Sequence, residues 1–162
     1  MRKFLDNVYR LTGGLAASFL AAIGISIIVQ VVGRQFGYVI DVTELAGFCL
    51  AASIFLALAY SLRHGSHVRV NLIVDSLDPK AKRIIETCVC ICALMVLSWL
   101  SWNAIEYTWQ SYISNDVSPG LMAISLWVPQ MGMVVGLVVM AVAVLDDLVS
   151  LLRRGKASYF SY

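Results

Sequence analysis

Apolar residues fill four long stretches of this chain, and charged residues gather between them. No Asp, Glu, Lys or Arg occurs at 11–33, 45–62, 87–105 or 117–145. A bilayer core is about 30 Å thick, and a helix crosses it in roughly 20 residues. Without water in that core, a spanning segment must close its backbone hydrogen bonds within itself, so helix is the default. The pattern predicts an all-α integral membrane protein, a single membrane domain over 1–162, with spans near 11–33, 45–62, 84–108 and 125–145. Four spans in 162 residues leave no room for a soluble domain.

Local signals refine these elements. Asp78-Pro79 reads as an N-cap followed by proline at the first helical position, where its missing N–H costs nothing. No helix breaker follows until Ser118-Pro119-Gly120, so the third helix should run from Pro79 to near Tyr112. At 1.5 Å per residue that is about 50 Å, longer than the hydrocarbon is thick, so this helix should tilt or protrude. Ser118-Pro119-Gly120 marks a turn. The fourth helix is expected to start near Ser125, with Pro129 in its first turn. Phe4, Leu5, Val8, Tyr9 and Leu11 can form one apolar face beside Arg2, Lys3, Asp6 and Arg10. That suits a short helix lying at the membrane surface before the chain turns inward. Val70, Ile73, Val74 and Leu77 fit a second interfacial helix, although alternation at Val68, Val70 and Leu72 fits a strand equally.

Charge orients the weave. Of the 12 basic residues, all but Arg34 lie at the N-terminus, in 63–86 or at the C-terminus. The positive-inside rule therefore places both termini and residues 63–86 in the cytoplasm. Asp41, Glu44, Glu106 and Asp116 then face outward. Trp99, Trp102, Trp109 and Trp127 gather toward that same outer interface, where amphipathic rings anchor. Composition agrees, with 14% charged residues against about 25% in soluble domains. Met1-Arg2-Lys3 and the following apolar run resemble a secretory signal. Signal cores are about 7–15 residues long, whereas this run extends to residue 33, so it is read as a retained first helix.

Chemistry-bearing residues are sparse. Cys49, Cys88, Cys90 and Cys92 all fall in spans. On a helix Cys88 and Cys92 share a face while Cys90 points away, so the three do not converge on a metal. His64 and His67 lie in the cytoplasmic connection without further ligands. The span cores hold no Asp, Glu, Lys, Arg or His, the residues that usually mark an ion pathway. Gln30, Asn103 and Gln130, the strongly polar residues there, sit near the outer ends. A multidrug exporter would need a buried carboxylate, a membrane cytochrome axial ligands, and a disulfide-generating enzyme an outer cysteine pair. The reading is a chain without catalytic or substrate-binding residues, cofactor or metal, and without a nucleic-acid partner.

Small residues recur at a spacing of four: Gly14, Ser18 and Ala22 in the first span, with Gly13, Ala17 and Ala21 beside them. Cys49, Ser53, Ala57 and Ser61 do so in the second, and Gly132-x-x-x-Gly136 in the fourth. Such stripes let helix backbones approach closely. Gly14, Ser18, Gly132 and Gly136 are therefore candidate partner contacts, with packing inside one bundle as the plainer alternative. Arg63, His67 and Arg69 are candidates for lipid headgroups or a partner at the cytoplasmic interface. Asp41, Glu44, Glu106 and Asp116 are candidates for docking a protein outside, with solvated loop charges as the alternative.

The junction after the second span reads Tyr60-Ser-Leu-Arg63-His-Gly65-Ser-His67-Val-Arg69-Val. Ser118-Pro119-Gly120 is followed by Leu126-Trp127-Val128-Pro129. In these motifs, their order and the four-span topology, the chain resembles the small membrane subunit of tripartite ATP-independent periplasmic (TRAP) transporters, the DctQ-like family, over roughly 10–150. Asn71 and Ser125 depart from residues frequent in that family. The resemblance implies a non-catalytic scaffold in the bacterial inner membrane, packed in lipid beside a large multi-helix permease. It further implies a periplasmic binding protein that delivers an organic acid, and import coupled to sodium. The alternative is a four-helix accessory or assembly subunit of an unrelated membrane complex; a membrane redox enzyme is the third class.

Overall fold

A computed structural model describes residues 2–38, 41–63, 79–120 and 122–154. Four helices account for nearly all of them: α1 Arg2–Gln35, α2 Thr43–Arg63, α3 Pro79–Ile113 and α4 Trp127–Arg154. Each is long and apolar enough to cross a membrane. The architecture is the all-α membrane bundle that the uncharged runs predict. Proline opens α3 as expected, and its 35 residues span about 52 Å at the usual rise.

Two local expectations are corrected. Residues 4–11 do not form a separate surface helix, since α1 runs unbroken from Arg2. Leu5, Tyr9, Thr12 and Ala16 follow a 4-3-4 spacing, so one inward face carries on from the terminal stretch into the span. Tyr9, expected at a lipid surface, is 2% exposed and packs with Ala59 of α2 and Ala143 of α4. The second correction is the start of α4, which falls at Trp127 rather than Ser125. Ser125 is held instead in a β-bridge with Val117. Pro129 does lie in the first turn of α4. The second proposed interfacial stretch, Val68 to Leu77, lies outside the described residues.

Helix ends are built from local rules. At the end of α1, Gly37 takes φ 79°, the Tyr38 N–H reaches the Gly33 carbonyl at 2.9 Å and the Gly37 N–H reaches Arg34 at 3.2 Å. At the end of α3, Asn115 takes φ 52°, with Asp116 N–H to Ser111 at 3.1 Å and Asn115 N–H to Tyr112 at 3.4 Å. Both are Schellman closures, which satisfy carbonyls that a helix end leaves open. At α2, the Val42 carbonyl accepts the first helical bond from Ala46, and Asp41 accepts the Thr43 N–H at 3.0 Å.

The helices pack in series: α1 on α2, α2 on α4, α4 on α3. Half of the most apolar stretch of α4 is buried, against 6% for α1 and 11% for α3, so α4 is the most enclosed helix, and α1 and α3 lie at the two ends of the series. Facing residues give the directions. Gly13 meets Tyr60 while Ala16 meets Ser53, so α1 and α2 are antiparallel. Gly132 meets Ala52 and Gly136 meets Phe55, so α2 and α4 are parallel. Arg83 meets Leu152 and Tyr112 meets Trp127, so α3 and α4 are antiparallel. One end of the bundle, the terminal end, therefore carries the start of α1, the end of α2, the start of α3 and the end of α4, and the other, the turn end, carries the end of α1, the start of α2, the end of α3 and the start of α4.

Several hydroxyls inside the spans are spent on backbone. Ser53 Oγ donates across to the Ala16 carbonyl at 2.8 Å, stitching α2 to α1. Ser26, Ser101 and Thr108 donate to the carbonyl one turn back in their own helices, at 2.7 Å each. An unsatisfied polar group in hydrocarbon costs several kcal/mol, so these bonds make hydroxyls tolerable there.

Candidate functional site

The glycine stripes divide between inside and outside. A Cβ added at Gly132 would lie 2.9 Å from the Ala52 Cβ, and one at Gly136 would fall on the Phe55 carbonyl, 2.7 Å from the Phe55 Cβ. Gly132-x-x-x-Gly136 thus brings α4 against α2 within this chain, and its face is already occupied. On α1 the neighbouring glycines have opposite fates. Gly13 abuts the Tyr60 ring, where a Cβ would come within 2.6 Å. Gly14 is exposed with nothing near it, and Ser18 is exposed too, its hydroxyl donating to the Gly14 carbonyl at 3.0 Å. Gly14 and Ser18 therefore lie on an outward face of α1 together with Leu11, Leu15 and Ile25, also exposed.

At the turn end, the four acidic candidates do not form one set. Asp41, Glu106 and Asp116 are exposed. Hydrogen bonds from the Thr43 side chain and backbone, with a smaller contribution from Arg34, hold the Asp41 carboxyl below its usual range. Glu44 differs: both its carboxyl oxygens are closed to solvent and accept no hydrogen bond among the described residues. They lie against Gly120, where any Cβ would collide with them. Beside this, Trp127 meets the edge of Tyr112 at 5.7 Å, and Tyr112 tilts against Trp109 at 5.9 Å. Trp99 and Trp102 are exposed on α3.

The terminal end holds what the sequence reading missed. That reading closes the fourth span at 145, but α4 continues through Asp146 and Asp147. Asp147 is 2% exposed, and Ser150 and Leu151 are buried beside it. The signal was available, since Met140, Ala143, Asp147 and Ser150 follow the 3-4 spacing of the inward face. Arg83 reaches across from α3, its Nη2 donating to the Leu152 carbonyl at 3.0 Å and the Leu151 carbonyl at 3.5 Å. A guanidinium there satisfies open carbonyls at the negative end of the α4 dipole. His67 and Arg69 lie outside the described residues, and α2 ends at Arg63.

Cys90 is buried, whereas Cys88 and Cys92 are exposed, the division that helical spacing predicts. Among the described residues no group of three or more His, Cys, Asp or Glu side chains is placed to hold a metal. What the described side chains do in the spans is pack: glycine against backbone, hydroxyl to carbonyl, aromatic ring against alanine.

Comparison with known proteins supplies the functional frame. No solved structure matches the chain. Over 79 residues it is 27% identical to the ectoine TRAP transporter small permease protein TeaB of Halomonas elongata, a stretch that covers 46% of this chain and 41% of that protein. Less than half of that relative is thus spanned. The family described as the DctQ component of tripartite ATP-independent periplasmic transporters matches residues 23–154, from the middle of α1 to the end of α4. The chain belongs to this DctQ family, as a small permease component of a TRAP transporter.

Proposed function

We propose that this chain is the non-catalytic scaffold of its transporter: it holds a large permease subunit in the membrane while the other subunits capture and move the substrate. The substrate is an organic acid delivered by a periplasmic binding protein, and import is coupled to sodium. The observation that carries this reading is the family match across α1–α4, in a bundle where the Ser26, Ser53, Ser101 and Thr108 hydroxyls are committed to its own backbone. Such spans bind by shape. Helix association in lipid rests on close packing and interhelical hydrogen bonds, and α1 and α3 keep most of their surface outside the bundle.

In this reading the terminal end is cytoplasmic and the turn end faces the periplasm, supported by the placement of 11 of the 12 basic residues. Arg63, His67 and Arg69 then lie at the level of cytoplasmic headgroups, and Asp41, Glu106 and Asp116 at the level of the binding protein. The outward face of α1 around Gly14 and Ser18 is the proposed contact with the large permease.

Reconstitution tests the function directly. Proteoliposomes holding this subunit, a permease encoded beside it and the binding protein should take up substrate with sodium, and omission of this subunit should abolish uptake. Sodium-driven uptake by this subunit alone would refute the scaffold reading. Topology is tested separately with a cysteine in place of Asp75. An impermeant maleimide added outside intact cells should leave it unlabelled, and labelling there would invert the orientation.

A further inference from the structure

The four helices pack in a row, α1–α2–α4–α3, and neighbours in that row are shifted along their axes. Facing residues set the register. Gly13 lies against Tyr60 and Ala16 against Ser53, Gly132 against Ala52 and Gly136 against Phe55, and Tyr112 against Trp127, with Arg83 reaching Leu152. At a rise of about 1.5 Å per residue, these pairs fix the relative height of the charged residues that border each uncharged run.

At the turn end the borders are Arg34 on α1, Glu44 on α2 and Glu106 on α3. Arg34 stands about 10 Å beyond Glu44, and Glu106 about 10 Å short of it. Trp127, which opens α4, falls between those two carboxylates, about 4 Å short of Glu44. At the terminal end the borders are Arg10 on α1, Arg63 on α2, Asp146 on α4 and Glu86 on α3. In that order each lies farther out than the last, and Glu86 is about 13 Å beyond Arg10. A helix that was merely longer than its neighbours would extend past them at both ends. Instead both borders of α3 are displaced towards the terminal end, those of α4 likewise by less, and those of α1 towards the turn end. The uncharged runs are therefore staggered in order along the row.

We propose that the row sits obliquely in the bilayer, with its helix axes leaning along the row by about 30° from the membrane normal. Neighbouring axes lie about 8–10 Å apart, so a stagger of about 13–20 Å accumulated over three steps gives that angle. An upright row would hold Glu106, exposed on α3, about 10 Å inside the level set by Glu44, where a carboxylate facing lipid is costly. The slant brings Glu106 to the border of the hydrocarbon. Trp102, Tyr107 and Trp109, all exposed, then straddle that border, the level that amphipathic rings take. The surface divides accordingly. The last two turns of α3 rise into water, open to a soluble partner, while α1 keeps its own turn end in lipid, open to a membrane partner. The angle does not depend on which side of the membrane either end faces.

Pairs of positions at one height in the row test the slant. Ile28 on α1 is level with Ile113 on α3, and Leu11 on α1 with Val96 on α3, and all four are exposed. Ile28→Cys, Ile113→Cys, Leu11→Cys and Val96→Cys are made singly in the full-length subunit, with the native cysteines changed to Ala, and reconstituted in lipid vesicles. A nitroxide on each reports depth through its collisions with oxygen, enriched in lipid, and with a nickel chelate, confined to water. The oxygen-to-nickel ratio should be several-fold higher at Ile28→Cys than at Ile113→Cys, and several-fold higher at Val96→Cys than at Leu11→Cys. Equal ratios within both pairs overturn the slant. A difference in one pair alone overturns it too, because a tilt must displace both ends. Infrared dichroism of the unaltered chain in oriented bilayers covers the case in which the cysteine-free background does not fold. The mean helix axis should lie about 30° from the normal, and a value below about 20°, the ordinary average for spanning helices, overturns the slant.

Discussion

At the scale of single residues, this bundle is governed by where a Cβ can and cannot go. Gly136 sits against the Phe55 backbone, which cannot swing aside as a side chain tip can. Gly136→Leu should therefore force α4 off α2 and destabilise the subunit by about 1–3 kcal/mol, the usual range for overpacking, read as a lowered Tm in detergent. Gly14→Leu, with open space around it, should leave stability within about 0.5 kcal/mol of wild type, as surface changes do. Asp41 offers a residue-scale test with pH. Its carboxyl, bonded to Thr43, is held below the usual 3.8. A lowered folded pKa means that the cap contributes fully above the unfolded value and fades as pH falls through the folded one. Exchange protection in the first turn of α2 should thus persist to about pH 4 and weaken below it, whereas Asp41→Asn, which caps without titrating, should show no such fall.

At the scale of elements, long helices are closed at their ends by chemistry the sequence announces only in part. Asp78-Pro79 and Gly37 are recognisable stop and start signals. Asn115 is a weaker one, because asparagine reaches left-handed φ less freely than glycine. Arg83 could not be assigned to α4 from sequence at all: it lies 69 positions from Leu152, and the bond exists because α3 and α4 pack antiparallel. Arg83→Gln should lower stability by about 0.3–1 kcal/mol, the range for a cation at a helix C-terminus. Arg83→Lys should recover part of that loss, since it restores charge without the planar fork. Equal Tm values for wild type and Arg83→Gln would remove Arg83 from the cap.

At the scale of the whole molecule, α4 is the most enclosed helix and α1 and α3 offer long outward faces. If the α1 face meets the permease, Gly14→Leu should lower co-purification several-fold while the isolated subunit keeps its Tm. Gly136→Leu should lower both. The pair separates a contact between subunits from packing within one, and intact co-purification of Gly14→Leu would move the interface elsewhere. The four cysteines, none of them in a disulfide, should be replaceable together by Ala or Ser with uptake retained within a few-fold in the reconstituted complex. Abolished uptake with assembly intact would mean that a thiol takes part.

Sequence alone determined the class, because a helix that spans lipid needs a long uncharged run and little else. The four runs, the proline that starts α3 and the separation of Cys90 from the face that Cys88 and Cys92 share all follow from one-dimensional spacing. Which side of a stripe faces inward did not. Gly13 and Gly14 are adjacent and chemically identical, yet Tyr60 takes one and leaves the other open. The residues at 4–11 carry an amphipathic pattern that suits a membrane surface as well as a helix seam. Tertiary structure chose the seam because Ala59 and Ala143 leave a space that Tyr9 fills. The carboxylates show the same division. Spacing put Glu44 among exposed loop charges and left Asp147 beyond a span, whereas packing buries Asp147 and covers the Glu44 oxygens. The cost of burying a charge depends on what lies across from it in space, and a sequence does not state that distance.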